Sequence, residues 1–309
     1  MGHGHPHHHA AVTVSHKLVI AAVATGTFVV VELVAGLYAS SLALIGDALH
    51  NFTDALALIL ALAAVRLAQR PPNDVKSFGY QRAGILAAFI NAGTLAAFTI
   101  YLFVEAVDRF RHPRPVDTLL MIVVSSVAIV MNTLLTLSLR HEGRHDVNIR
   151  GAVLHLLGDA VSSAGIVVAA ILIRLTGSAM WDTAVSLLIG ALILWSSWGI
   201  LRETVNLLLE GTPSGIDPAE VARALESIEG VYGVHHLHIW ALGPASPALS
   251  CHLMVGDVPI RNTAGMLEQV NALLHHDYRI VHATVQFEFA RCTDGDPYCV
   301  PYTAERGAR

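Results

Sequence analysis

The 309-residue chain is 54% hydrophobic and only 14% charged, with a mean hydropathy of +0.55. A soluble domain carries about 25% charged residues, so a wholly water-exposed protein is excluded; 12 Pro, 24 Gly and 3 Cys also exclude collagen-like, disordered and disulfide-scaffold chains. The net charge of −5 argues against nucleic acid as a partner, and 18 His against 19 Lys+Arg point to metal or proton chemistry in a membrane setting.

Residues 1–16 read as a His-rich N-terminal tail. His3, His5, His7, His8 and His9 stand among Gly and Pro and suit neither a helix nor a core. They do not resemble a signal peptide, which needs a basic stretch before a short apolar one. A weak zinc collector and a solvated tail both fit them. Residues 17–210 read as a transmembrane domain. A membrane helix needs about 20 mostly apolar residues, and six such spans are expected: 17–38, 42–68, 82–107, 117–139, 149–175 and 182–206. The first two are joined by little more than Ala39-Ser40-Ser41.

After Glu210-Gly211-Thr212-Pro213 the charges return. Residues 211–290 read as a soluble domain: helix 217–228, strand 234–242, strand 248–256, helix 263–275, strand 281–289. Gly243-Pro244 and Pro247 punctuate the first two strands. This αββαβ order implies a small open-faced, ferredoxin-like α+β layer pair. Residues 291–309 read as a flexible Cys-containing tail.

Basic residues near the helix ends set orientation. Lys17, Arg66, Arg70, Lys76, Arg82, Arg140, Arg144, Arg150 and Arg202 lie on one side, against Arg109, Arg111, Arg114 and Arg174 on the other. The majority side puts both termini and the soluble domain in the cytoplasm; Arg109 to Arg114 is a local violation.

The second span carries His50-Asn51-Phe52-Thr53-Asp54 and the fifth His155-Leu156-Leu157-Gly158-Asp159. Both are H-x-x-x-D, and residues four apart share a helix face. Each helix therefore offers one imidazole and one carboxylate to the same point. An ionisable residue at such depth costs about 2.5–3.5 kcal/mol or more, so four together must compensate one another or bind something. Two nitrogens and two oxygens suit Zn²⁺. Asp47, one turn before His50, is a candidate outer-side relay for ions or protons, or a helix N-terminal carboxylate favoured by the dipole.

A competing pattern is His141-Glu142-Gly143-Arg144-His145, the H-E-x-x-H of zinc metallopeptidases. That chemistry needs a helix and a third ligand, whereas these residues fall in a short loop between two spans. In the soluble domain His236, His238 and Trp240 alternate on one strand and so share a face, and His252 lies on the next strand. His282 and Glu288 flank the last strand about 20 Å apart, too far for one ion on a straight strand. Cys292 and Cys299 are further candidate zinc ligands, since a cytoplasmic disulfide is disfavoured. Cys251 reads as core.

The chain resembles the cation diffusion facilitator family, the divalent-metal/proton antiporters, and its zinc-transporting branch in particular. The resemblance spans residues 15–290. It rests on Gly46 to Asp54, Ser77-Phe78-Gly79-Tyr80-Gln81-Arg82, His155 to Asp159, Leu209 to Pro213, Leu237-His238-Ile239-Trp240 and Thr284 to Glu288. It implies a homodimer of six-helix protomers in the bacterial inner membrane, with cytoplasmic metal-binding tails that pair across the dimer. His50, Asp54, His155 and Asp159 fall on the family's transport-site positions. Members with Asp in place of His50 are similar to iron, cadmium or manganese carriers, so His50 points to zinc. The resemblance matches His238, His252, His282 and Glu288 to a regulatory zinc site. A further metal site that some relatives build in the loop after the second span is expected to be absent, because Lys76 and Tyr80 stand at its positions and Asp74 alone could not hold zinc.

The expected function is zinc efflux by exchange of cytoplasmic Zn²⁺ for protons, with the lipid bilayer as surroundings. No phosphate-binding glycine loop is present, so nucleotide drive is not expected; as a transporter the chain is not expected to be an enzyme. The competing readings are an intramembrane zinc metalloprotease built on His141 to His145, and a metal sensor that transports nothing.

Overall fold

The computed structural model describes residues 16–139 and 147–289. The His-rich run, residues 141–145, Cys292 and Cys299 lie outside them. Six helices come first: α1 (His16–Ala39), α2 (Leu42–Ala68), α3 (Ala83–Arg111), α4 (Thr118–Leu139), α5 (Val147–Thr176) and α6 (Met180–Leu208). Five of them, α2 to α6, are long and apolar enough to cross a membrane, and α1 carries a shorter apolar stretch, Thr25–Ala39. Large apolar side chains such as Val31, Leu58, Val104, Leu134 and Leu192 stand exposed around them. That outward apolar surface suits lipid, where only a helix satisfies its own backbone polar groups.

The chain divides into two compact units. One comprises the described residues up to Leu56 together with Thr94–Ser196; the other comprises Ala57–Gly93 and the described residues from Ser197 onward.

In the first unit the buried seam mixes small side chains, Ala35, Ala39, Ala43, Ala169 and Ala170, with larger ones such as Leu44, Met121 and Ile166. Small residues let helices approach closely, which is how packing is gained where lipid supplies no hydrophobic drive. Gly36 marks one close approach: a Cβ there would meet the Ile45 backbone nitrogen at 3.0 Å. The α1–α2 corner turns on Ser40, at φ +52°. The freed amides at the start of α2 are capped from a distant helix. Buried Asp182 on α6 accepts from Ser41 Oγ at 2.5 Å, Leu42 N at 2.7 Å and Ala43 N at 3.3 Å. Arg109 donates to Ser40 O and lies 3.7 Å from Asp182. Arg114 pairs with Glu105 and Asp108, each at 3.3 Å.

In the second unit the chain leaves α6 through Glu210, at φ +62°, whose carboxylate holds Arg82 at 3.2 Å. Asn206 Nδ2 donates to Thr212 O at 3.0 Å, fixing the exit from the helix. The soluble part then runs α7 (Pro218–Glu226), β1 (Val231–Gly243), β2 (Ser246–Val255), a short 3-10 turn, α8 (Thr263–Tyr278) and β3 (His282–Glu288). Asp217 caps α7 by accepting from Ala219 N at 2.9 Å, with Pro218 at the first helical position, where its missing N–H is not needed. The sheet order is β1-β2-β3; β1 and β2 are antiparallel, and β2 and β3 parallel. The second pairing needs a crossover, which α8 supplies. Val221 and Leu225 of α7 and Val270 and Leu274 of α8 bury against Leu249, Cys251 and Leu253 of β2, so this part owns a core.

Candidate metal centre

The helical spacing read from the sequence does bring two pairs of side chains together. His155 Nε2 lies 3.0 Å from Asp54 Oδ2 and 3.7 Å from Asp159 Oδ2. His50 Nε2 lies 3.7 Å from Asp54 Oδ2 and 3.6 Å from Asp159 Oδ1. The two rings meet edge-on, 5.7 Å apart. Zinc with ligands at about 2.0–2.1 Å puts neighbouring donors of a tetrahedron about 3.3 Å apart. The four contacts bracket that edge length. Asp159 is 9% exposed and His155 48%, so the cluster is closed on one side and open on the other. His50 Nδ1 is buried with no hydrogen-bond partner among the described residues.

Asp47 is buried, not a solvated helix end: it accepts from Ser162 Oγ at 2.8 Å and Ser163 Oγ at 3.1 Å. Beside this layer stands Glu32 of α1, fully buried, with Asn51 Nδ2 donating to its Oε2 at 3.1 Å. Sequence reasoning missed Glu32. The signal was there: it is the one acidic residue in the 24 of α1, and an intramembrane carboxylate is a functional candidate by default.

A second cluster sits on the sheet. His235 Nε2 is 2.9 Å from Glu288 Oε2, and His252 Nδ1 is 2.8 Å from Glu288 Oε1. The His252 nitrogen is buried yet makes no properly directed hydrogen bond; the donors converge on a point between them. Burial holds the His252 imidazole below its usual value, favouring the neutral form that binds metal. Burial pushes Glu288 up, but hydrogen bonds from His235 and Gln286 and the charge of His252 outweigh it and keep the carboxyl below the ordinary range. The donor set of two imidazoles and one carboxylate suits zinc.

Of the four tail ligands expected from the resemblance, the structure brings together His252 and Glu288 but not the other two. His238 pairs across from Ser250 and faces a cavity of about 990 Å³ lined by Phe78, Tyr80 and Trp240. His282 pairs across from Ala248, six positions from the partner of Glu288, and meets the Phe78 ring edge-on at 5.4 Å. His235 takes part instead, because β1 carries a bulge: His235 opposes His252 but His238 opposes Ser250, three residues against two. The extra residue cancels strict alternation and puts His235 and His238 on one face. His236, in the bulge at φ +48°, lies with its ring 4.6 Å from that of His252. Spacing held the clue: the inward residues Val234, Leu237 and Ile239 are three apart, then two.

A membrane domain with a His₂Asp₂ cluster between two helices, followed by an α+β domain with a His₂Glu cluster, defines a metal-handling multi-pass membrane protein. Residues 18–209 match the cation efflux transmembrane domain and residues 213–290 the cation efflux protein cytoplasmic domain. The chain belongs to the cation efflux family, whose members are transporters and not enzymes. It is 40% identical over 293 residues to the zinc transporter ZitB of Pectobacterium atrosepticum, covering 94% of this chain and 90% of that protein. It is 38% identical over 296 residues to the metal cation efflux system protein CzcD of Cupriavidus metallidurans, covering 96% and 93%. It is 36% identical over 290 residues to a cadmium, cobalt and zinc/H⁺-K⁺ antiporter of Bacillus velezensis, covering 93% and 92%. The metal-bound C-terminal domain of the Cupriavidus CzcD transporter aligns with a TM-score of 0.22 and 31% identity, over 24% of this chain and all of that one.

Proposed function

We propose that this protein exports zinc from the cytoplasm in exchange for protons, with His50, Asp54, His155 and Asp159 as the transport site. The observation that carries the reading is the approach of His50 and His155 to Asp54 and Asp159 at 3.0–3.7 Å, with donors of His50, His155 and Asp159 all within 4.8 Å of one another. The similarity to relatives named as zinc transporters and as a metal/H⁺-K⁺ antiporter supports cargo and counter-ion. Six helices cross the bacterial inner membrane, both termini face the cytoplasm, and the protomers pair through ferredoxin-like tails.

Each imidazole and carboxylate must lose its proton to bind metal, so protons and zinc compete for the same atoms. On the cytoplasmic side the deprotonated cage takes zinc; on the outer side protons reclaim it and zinc leaves. Release is eased by a missing support. A resident-zinc histidine passes its second N–H to an acceptor, and losing that partner costs about 10–100-fold in affinity; among the described residues His50 Nδ1 has none. In the tail, His235, His252 and Glu288 hold a regulatory zinc. His236 is the candidate fourth ligand. Its expected effect is to tighten tail pairing and set transport rate.

The test is zinc uptake with proton counterflow in vesicles holding the purified full-length protein. A pH gradient should drive zinc uphill, and Asp159→Ala should stop it. No specific observation favours the protease or the sensor.

A further inference from the structure

The cavity of about 990 Å³ that His238 faces lies within the second unit, where the loop after α2 meets β1 and β2. Its apolar wall includes Leu67, Leu86 and Leu208, which stand in the last turn of α2, the first turn of α3 and the last turn of α6. The chain passes through four helices, α3 to α6, between Leu67 and Leu208, so both belong to one face of the membrane. The opposite wall is closed at backbone distance: a Cβ at Gly243 would lie 3.1 Å from the Gln81 carbonyl oxygen, and one at Gly84 2.9 Å from Pro244 Cγ. The polar part of the lining has donors to spare. Lys76, Ser77 and Trp240 line it, and no described residue accepts from the Lys76 ammonium, the Ser77 hydroxyl or the Trp240 indole N–H. Arg82 donates one N–H to Glu210 at 3.2 Å and keeps others, because a guanidinium carries five. Glu210 is the only carboxylate among the described lining residues, against the two cations Lys76 and Arg82. The cavity is therefore one negative charge short of balance.

We propose that this cavity seats the headgroup of an anionic phospholipid, with its phosphate held by Lys76 and Arg82 and an acyl chain running out along Leu67, Leu86 and Leu208. Three features select that occupant. A soluble anion would satisfy the donors but leave the apolar wall wet, whereas a lipid covers both. A zwitterionic lipid brings its own cation to a site that already has one too many; a singly charged phosphodiester lipid such as phosphatidylglycerol balances it. The wall is also built from the ends of membrane-spanning helices, the level at which basic pockets take lipid headgroups and at which Trp and Tyr side chains such as Trp240 and Tyr80 are favoured. Bound there, the lipid ties the loop after α2 to the exit of α6. The site is independent of the zinc and proton reading, and uses none of the cage residues.

The test is lipid titration of the purified full-length protein in a neutral detergent, with bound lipid counted by native mass spectrometry. Detergent removes the membrane's surface potential, so only a built site discriminates. The wild type should retain phosphatidylglycerol about fivefold more tightly than phosphatidylcholine, the worth of one lysine–headgroup contact. Lys76→Gln should erase that preference and Lys76→Arg should keep it. Arg66→Gln removes an exposed cation of the same helix end that does not line the cavity, and should change retention by less than about twofold. Equal retention of the two lipids by the wild type would overturn the proposal and leave an apolar groove. An equal loss in Arg66→Gln and Lys76→Gln would overturn it as diffuse surface charge. Glycerol phosphate, the soluble headgroup alone, should not displace the lipid at matched concentration; displacement would mark a free-anion site and overturn the lipid assignment.

Discussion

At the scale of single residues, the cage leaves no spare donor. Removing one carboxylate leaves three ligands and one more uncompensated imidazole in a low-dielectric site, so Asp54→Ala and Asp159→Ala should both bring zinc flux to the level of empty vesicles. The proteins should still insert, because the helix seam of Ala35, Ala169 and Ile166 does not involve them; size-exclusion profiles together with flux check this. His50→Asp exchanges an intermediate nitrogen donor for a hard oxygen one, which favours larger, harder or less tetrahedral ions. Competition assays should show cadmium or manganese gaining on zinc, and an unchanged preference would count against His50 as the selective ligand. Cys251 makes a different residue-scale prediction. Burial pushes its thiol up to about 12, so at neutral pH it is neither a thiolate nor reachable. Maleimide should label it only after denaturation.

The element scale is where sequence reading succeeded unevenly. The H-x-x-x-D pairs were legible because an α-helix repeats rigidly: positions four apart share a face whatever the neighbours are. Helix limits were legible for the same reason, α2 matching the expected 42–68. The strand bearing His235 was not, because a bulge breaks the two-residue period and a strict alternation sends His235 to the wrong face. Glu32 was hidden for another reason. Its hydrogen-bond partner Asn51 comes from a different helix, and which helices neighbour one another is not written in either one's period. Two outcomes follow. In the isolated tail, residues 213–290, zinc at about 100 times its Kd should add about 2.7 kcal/mol. At 4–8 °C per kcal/mol for a domain of this size, the melting temperature should rise by about 10 °C or more. His235→Ala and His252→Ala should each remove that rise, while His238→Ala and His282→Ala should keep it. The cap on α2 gives the second outcome. Asp182→Ala strips three donors of their acceptor and leaves buried Arg109 with Glu105 as its carboxylate partner. Breaking a buried pair this way costs about 3–5 kcal/mol, to be read as a lowered melting temperature in detergent.

For the molecule as a whole, the proposed orientation follows the Lys/Arg bias of the loops, with Arg109 and Arg114, paired to Asp182, Glu105 and Asp108, as its local exception. On the proposed reading, transport needs no energy source beyond the two ion gradients, because the same four side chains would bind either zinc or protons. The most direct measurement of that claim is simultaneous recording of zinc and pH inside vesicles of uniform protein orientation, for wild type and Asp159→Ala. The account predicts that an imposed proton gradient drives wild-type zinc against its own gradient, that an imposed zinc gradient moves protons the opposite way, and that both movements vanish together in the variant. Zinc that only runs downhill while internal pH stays flat, or a variant that still exchanges the two ions, would contradict it.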